Sequence, residues 1–535
     1  MKYKFLNCTI ILFICFASLA QVYATVSLSN LLNSAISKDI DSVLIYFLLI
    51  FVLWILYSIF ELIHSRLQSK CISKMNNDLR AKITESISAM TYEDFDKNEI
   101  GAYVSWYTND MIEFENSGLK SIYSIIYRSL NLIFVLLAVT EMHYIITLTM
   151  IVSAAVLMIS PKLFNRKIEY LSINQSTCQE NFTKNIKDAL SGFTTLKLYN
   201  SLNILEDKTY NYSSTLEDNK LKLSYLKNNI NFIIGVLNVA CQLSCSFVAT
   251  YLVSIGSIQA GTILAVGSLS GNCFNSIKFM LNDIVTLASG KKIFEKLTYK
   301  DSYSNEDKDS QIELKEFNKS IEVVDLTYSY GERNIFNNLN LSFEFGKKYA
   351  IIGKSGCGKS TLLKILTGSI SDYDGEVKID DINMKDFSLE SIYNNFAYID
   401  QNVYLFNSSI LNNITVFKKR CTENLHNALE NSALAEFIDE EKLNQVVGEQ
   451  GKKLSGGQRQ RISIARALIN KKKVIIMDEG TSSLDKENSY AIEKKLLNNP
   501  DITLIIVTHN LNENLVNQFD HIYNLNELNN ELNNT

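Results

Sequence analysis

Apolar residues are unevenly spread along the chain. Residues 1–290 hold six runs near the ~20 residues that cross a bilayer. They are Phe5–Ala24, Val43–Ile63, Ile122–Val139, Tyr144–Ile159, Ile230–Val253 and Gly261–Ile284. The second, VLIYFLLIFVLWILYSIFELI, is the clearest. The sixth is rich in Gly, Ser and Asn, which suits a helix facing other helices or a water-filled cavity rather than lipid. Beyond residue 300 no such run occurs; short apolar segments separated by polar turns read as a soluble α/β domain. This pattern divides the chain into a membrane domain over 1–297, a polar linker over 298–317, a soluble domain over 318–525 and a polar tail over 526–535, expected to be frayed or solvated.

Two long polar stretches, 64–118 and 161–228, interrupt the apolar runs. In the first, Leu67, Cys71, Met75 and Leu79 recur every four residues, so the membrane helices are expected to run on beyond the bilayer. Each extension should turn at a short connecting segment, near Gly101–Glu113 and near Leu190–Leu198. Both stretches are basic: the first carries Arg66, Lys70, Lys74, Arg80, Lys82 and Lys97, whereas the short loops between spans offer Lys38. Basic loops stay on the cytoplasmic side. The expectation is therefore a multi-pass plasma-membrane protein with its N-terminus and soluble half in the cytoplasm. Residues 1–24 also resemble a signal peptide; the length of the apolar stretch and an even span count favour a retained first span.

Composition narrows the class. Apolar residues make up 47% and charged residues 20%, too apolar for a disordered chain. A net charge of −5 offers nothing to a nucleic acid. Nine cysteines, odd in number and without a C-x-x-C pair, argue against a disulfide framework or a zinc site. Within the spans stand Arg128, Lys278 and Asp283, either lining a substrate path or snorkelling to the interface. Two copies of Lys278 and Arg128 facing a cavity would favour an anionic or amphipathic cargo.

The soluble half carries the chemistry. KYAIIGKSGCGKST fits G-x-x-x-x-G-K-[ST] between a strand-like run (Tyr349–Ile352) and a helix-like one (Leu362–Thr367), the setting of a phosphate-binding loop. Backbone amides around Gly353, Ser355, Gly356, Cys357 and Gly358, continuing into Lys359, Ser360 and Thr361 at a helix start, suit an anion. Lys359 would reach the terminal phosphates and the Ser360 hydroxyl would ligate Mg²⁺. VIIMDE (Val474–Glu479) reads as a buried parallel strand ending in two carboxylates. Asp478 suits the Mg²⁺ shell and Glu479 the attacking water.

The run LSGGQRQR brings a resemblance into view. Leu454, Ser455, Gly456, Gly457 and Gln458 match the signature of the ATP-binding cassette transporter superfamily. Further stretches resemble its other landmarks: Tyr330 the aromatic that stacks on adenine, Gln401 the glutamine of a Mg²⁺- and water-sensing loop, Ser483-Leu484-Asp485 the D-loop and His509 the switch histidine. The resemblance implies ATP and Mg²⁺ as cofactors, with Gln401, Glu479 and His509 serving hydrolysis and Ser360, Gln401 and Asp478 holding the metal. Six spans with two long cytoplasmic loops ahead of the cassette resemble exporter-type half-transporters. DFDKNEIGAYVSWYTNDM and KDALSGFTTLKLYN resemble their two coupling segments, and VVGEQG resembles a loop that contacts them. The implied architecture is an all-α six-helix transmembrane domain with long helical extensions, followed by an α/β P-loop NTPase domain. A single cassette implies dimerisation, most economically as a homodimer, though a heterodimer with a degenerate partner remains open. The implied cargo is a drug-like amphipath, lipid or peptide; a non-transporting membrane ATPase or sensor is the competing class. Trp106 stands where the family often has Arg, Gly480 and Ser483 replace common alanines, and the first span lacks a frequent proline.

Overall fold

The computed structural model describes residues 3–160, 164–298, 312–419, 422–435, 438, 441–480, 486–509 and 511–531. They fall into two compact units, one of residues 1–88 and 99–301, the other of residues 89–98 and 302–535.

The first unit is helical: α1 (Lys4–Ile36), α2 (Ile40–Ser88), α4 (Ile100–Tyr107), α5 (Asn109–Phe114), a π turn (Glu115–Leu119), α6 (Lys120–Met142), α7 (Tyr144–Ile159), α8 (Asn165–Ser191), α9 (Phe193–Leu198), α10 (Asn203–Ser254) and α11 (Thr262–Thr298), with α3 (Tyr92–Asp96) belonging to the second unit. Every expected apolar run lies in one of these helices, except that Gly261 of the sixth precedes α11. Among the described residues, four helical stretches are long and apolar enough to cross a bilayer: α1, α2, the run Ile100–Met142 and α10. Helix α7 is shorter, and α11, site of the expected sixth span, lacks the apolar length. The reason lies in what α11 touches. Val266, Leu269, Cys273, Phe274 and Ile277 are buried against α6, α7 and α10 in one cluster, so small and polar residues on its other faces need not meet lipid. The most apolar stretch of α2 is the opposite case: no residue of it is buried, and Leu44, Phe47, Phe51 and Ile55 point outward, an arrangement that water would penalise and lipid accepts.

Several polar groups inside the bundle are paired. Asn7 Oδ1 accepts from Tyr123 Oη at 2.7 Å and from Cys71 Sγ at 3.4 Å, tying α1, α2 and α6. Arg128 Nε lies 3.0 Å from Asp283 Oδ2, and Ser124 Oγ donates to the same oxygen at 2.6 Å. The Arg128 guanidinium also sits 4.8 Å from the Phe279 ring centre. Arg128, expected either to line a substrate path or to snorkel, has its charge met by Asp283. Lys278 Nζ lies 6.0 Å from the same ring.

The connecting segments differ in their match to expectation. The second falls where expected: α8 ends at Ser191 and α9 occupies Phe193–Leu198. The first comes earlier than Gly101–Glu113. Thr91 caps α3 by accepting from Asp94 N, and this short helix packs on the second unit, where Ser371 N donates to Glu93 Oε1 at 3.0 Å and Lys364 Nζ sits 5.6 Å from the Tyr92 ring centre. The later stretch, Gly101–Glu113, is already helical.

The second unit holds two sheets. One is antiparallel, in the order β2 (Arg333–Glu344), β1 (Ser320–Tyr330), β4 (Asp374–Ile379), β5 (Ile382–Asn383). The other is parallel, in the order β6 (Phe396–Ile399), β7 (Val474–Asp478), β8 (Thr503–Val507), β3 (Lys348–Ile352), β9 (His521–Asn524). Strands β3, β7 and β8 are apolar throughout their centres because both faces are covered. Helix α12 (Lys359–Leu366) buries Leu362, Leu363, Ile365 and Leu366 in a core shared by both sheets. Helices α13 (Leu389–Asn395), α14 (Ile410–Thr415), α15 (Thr422–Asn431), α16 (Gly456–Ile469) and α17 (Lys486–Leu497) complete the unit; α14, α15 and α16 share a second core around Ile414, Leu429 and Ile462. Where a frayed tail was expected from residue 526, the chain remains helical in α18 (Leu525–Glu531), with Leu525 fully buried. Residues 299–311 of the expected linker lie outside the described residues.

Candidate active site

The phosphate-loop sequence forms the turn between β3 and α12. Gly358 caps α12 in the left-handed region at φ 100°, and a Cβ there would sit 2.8 Å from Phe336 Cε1 of β2. Both the backbone angle and the space therefore demand glycine. Lys359 is buried, its Nζ held by the carbonyls of Gly353 (2.8 Å) and Lys354 (3.1 Å). Gly356 has φ 82°, and its carbonyl accepts from Arg333 Nη2 at 3.4 Å. Ser355, Cys357, Ser360 and Thr361 fill the rest of the loop and the first turn of α12.

Strand β7 runs beside this loop. Ser360 Oγ donates to Asp478 Oδ2 at 2.8 Å, and Tyr398 Oη on β6 reaches the same oxygen at 3.4 Å. Burial, reinforced by the Asp478 charge, pushes the Tyr398 phenol well above its ordinary range, so it stays a neutral donor. The sequence reading missed Tyr398; its place on β6, three residues before Gln401, was the available signal.

One residue further, the chain leaves the sheet. Glu479 has φ 49°, costly for a side chain with a Cβ. Its backbone N donates to Val507 O at 2.9 Å, which keeps β7 joined to β8 through the twist. The carboxylate is thereby turned between two donors. Gln401 Nε2 lies 2.8 Å from Oε2 and His509 Nε2 lies 2.9 Å from Oε1. On the far side of the imidazole, Nδ1 is 3.5 Å from Lys359 Nζ, an arrangement matched by the tautomer with its proton on Nε2. The structure thus brings Lys359, Ser360, Gln401, Asp478, Glu479 and His509 into one connected group.

The remaining expected residues lie around this group. Tyr330, at the end of β1, is half exposed and meets Tyr328 edge-on at 5.0 Å. Ser455 caps α16: its hydroxyl accepts from Gln458 N at 3.2 Å while Gln458 Oε1 accepts from Ser455 N at 3.0 Å. This reciprocal cap presents the amides of Gly456 and Gly457 at a helix start. Gly456 and Gln401 line one cleft of about 340 Å³ together with Gln450 of the VVGEQG loop. Asp485, with Ser483 and Leu484, lies outside the described residues.

An oxygen-seeking divalent cation fits this chemistry. Ser360 Oγ and Asp478 Oδ2 are hard donors 2.8 Å apart beside a loop built for phosphate, and Mg²⁺ characteristically takes few protein ligands next to a nucleotide.

Residues 7–277 match the family model of the ABC transporter transmembrane region and residues 336–482 that of the ABC transporter. The ATP-dependent lipid A-core flippase of Escherichia coli (strain K12) is 26% identical over 498 residues, spanning 90% of this chain and 84% of the relative. The protein of the same name from Shigella sonnei (strain Ss046) is likewise 26% identical over 498 residues. A solved structure, of a bacterial Atm1-family ABC exporter with ATP bound, superposes with a TM-score of 0.80 at 18% identity, over 95% of this chain and 91% of that one.

Proposed function

The chain belongs to the ABC transporter family, and from that premise we propose that two copies act as a homodimer exporting an amphipathic compound, lipid or peptide across the plasma membrane. ATP hydrolysis coupled to transport, in the exporting direction, is the activity shared with its relatives. The relatives' lipid A-core cargo favours a lipid-like substrate among these classes.

The observation that carries the reading is the carboxylate of Glu479 bridged by Gln401 and His509 beside Lys359. In our account the amides of 353–361 grip the phosphates, Lys359 turns from its carbonyls to the terminal ones, and Tyr330 stacks on adenine. Ser360, Asp478 and Gln401 would hold Mg²⁺, which when bound would offset negative charge on the nucleotide's phosphates. Glu479 orients the attacking water and accepts its proton, while His509 gives a hydrogen bond to the γ-phosphate. Ser455, Gly456, Gly457 and Gln458 of the second copy, together with Asp485, close the site from the opposite side. Bound ATP then acts as a ligand of the closed state, and loss of phosphate releases it. A heterodimer with a degenerate partner is the variant of this reading to exclude.

The test is directional transport in proteoliposomes of the purified chain. ATP-dependent movement of a cargo that also raises ATP turnover supports export; turnover with no cargo moved, across lipid, peptide and drug-like candidates, refutes it in favour of a membrane sensor.

A further inference from the structure

Strand β6 and the residues just after it serve both carboxylates at the end of β7. Gln401 reaches Glu479, and three positions earlier Tyr398 reaches Asp478. Register explains the second contact. Tyr398 pairs with Ile476 in the parallel ladder, so Asp478 lies two residues further along β7, on the same face. Two residues of strand span roughly 6.6 Å, a gap that a phenol crosses and a serine or asparagine does not. The sheet's core does not account for a tyrosine here. Phe396 and Ile399 at the two ends of β6 are buried, whereas Tyr398 is 38% exposed.

Asp478 Oδ2 thus takes two hydroxyls, one from α12 and one from β6: Ser360 Oγ at 2.8 Å and Tyr398 Oη at 3.4 Å. Its other oxygen, Oδ1, takes no hydrogen bond among the described residues. A carboxylate held through one oxygen keeps the direction of the other. The Asp478 and Asp400 charges help to keep the proton on Tyr398, so the phenol donates and does not compete as a ligand. Ser360 is already assigned to the cation under the proposed function. Tyr398 is then the donor that stands behind the carboxylate, and partners in that place orient a metal ligand.

We propose that Tyr398 is a positioning residue of the nucleotide site, fixing Asp478 so that the site prefers Mg²⁺ to Ca²⁺. The two cations differ in what they ask of a carboxylate. Mg²⁺ needs near-ideal octahedral geometry at about 2.0–2.1 Å, whereas Ca²⁺ accepts roughly six to eight oxygens at about 2.3–2.6 Å in looser arrangements. A carboxylate free to swing therefore serves Ca²⁺ almost as well as a fixed one and serves Mg²⁺ poorly. This role rests on the Mg²⁺ reading given above and adds the side chain that sets its selectivity.

The test uses the full chain in lipid nanodiscs carrying Glu479→Gln, so that nucleotide binds with little turnover, beside the same chain with Tyr398→Phe added. Phenylalanine keeps the ring and removes only the hydroxyl. Calorimetry gives the ATP affinity with excess Mg²⁺, with excess Ca²⁺ and with chelator; each metal's contribution is its ratio to the chelator value. With Tyr398 present, Mg²⁺ contributes more than Ca²⁺. Adding Tyr398→Phe lowers the Mg²⁺ contribution roughly tenfold, keeps that of Ca²⁺ within about threefold and leaves the chelator affinity unchanged. An unchanged Mg²⁺ contribution, or an equal fall with both metals, overturns the role. So does a fall in the chelator affinity as large as that with Mg²⁺, which marks support of the fold alone. If neither metal contributes while Tyr398 is present, the Mg²⁺ reading itself fails, and the role of Tyr398 with it.

Discussion

Gln401 Nε2 donates to Glu479 Oε2 over 2.8 Å, joining the end of β6 to the carboxylate that follows β7. With His509 on the other oxygen, the carboxylate is fixed in direction before any nucleotide arrives. Replacing it by the amide keeps the shape and removes the proton acceptor. Glu479→Gln should bind ATP with near-normal affinity and hydrolyse it at least about 100-fold more slowly. Equilibrium nucleotide binding beside single-turnover hydrolysis checks this; near-normal turnover would refute the role.

The contact between Ser360 Oγ and Asp478 Oδ2 yields a prediction about the metal. Ser360→Ala removes one donor and leaves the other. The Mg²⁺ concentration for half-maximal hydrolysis should rise by roughly tenfold, and excess chelator should abolish turnover in the wild type. An unchanged Mg²⁺ dependence in the variant would remove Ser360 from the metal shell.

Much of this was legible in the sequence, and the rest failed for physical reasons. Glycine spacing between an apolar strand and an apolar helix located the β3–α12 loop because φ 100° at Gly358 tolerates nothing else. The division between membrane and soluble halves followed from where apolar runs cease. Four features were not legible. The first connecting helix, Tyr92–Asp96, is five residues long and has no period to read. The π turn inserts its extra residue without a sequence marker. The partner of Arg128 lies 155 positions away at Asp283, a distance no local pattern reports. Glu479 was legible as a carboxylate at a strand end, but its backbone twist was not.

That Arg128–Asp283 pair supports a double-substitution test. Both side chains are about three-quarters buried, at 24% and 23% exposure. Asp283→Asn leaves the guanidinium unmatched and should destabilise the membrane unit by about 1–3 kcal/mol. Arg128→Met combined with Asp283→Leu should recover most of that loss. Thermal unfolding in detergent reads both variants; additive losses would show that the pair does not couple.

Gly290 of α11 crosses Gly118 of the π turn backbone to backbone: a Cβ at Gly290 would lie 2.6 Å from Gly118 N. There is no flexible side chain to move aside. Gly290→Ala should therefore cost about 1–3 kcal/mol and Gly290→Val more. Folded yield and melting temperature in detergent measure this; wild-type stability for Gly290→Val would mean that the two helices do not cross there.

The most direct measurement of the central claim is a cross-link between copies. A chain keeping Cys357 in its phosphate loop, with Ser455→Cys and Glu479→Gln and its other cysteines changed to serine, is reconstituted in lipid and treated with a short bifunctional thiol reagent. The account predicts a covalent dimer joining Cys357 of one copy to position 455 of the other, formed with MgATP and absent without nucleotide. Monomer under both conditions, or a dimer indifferent to ATP, would contradict it.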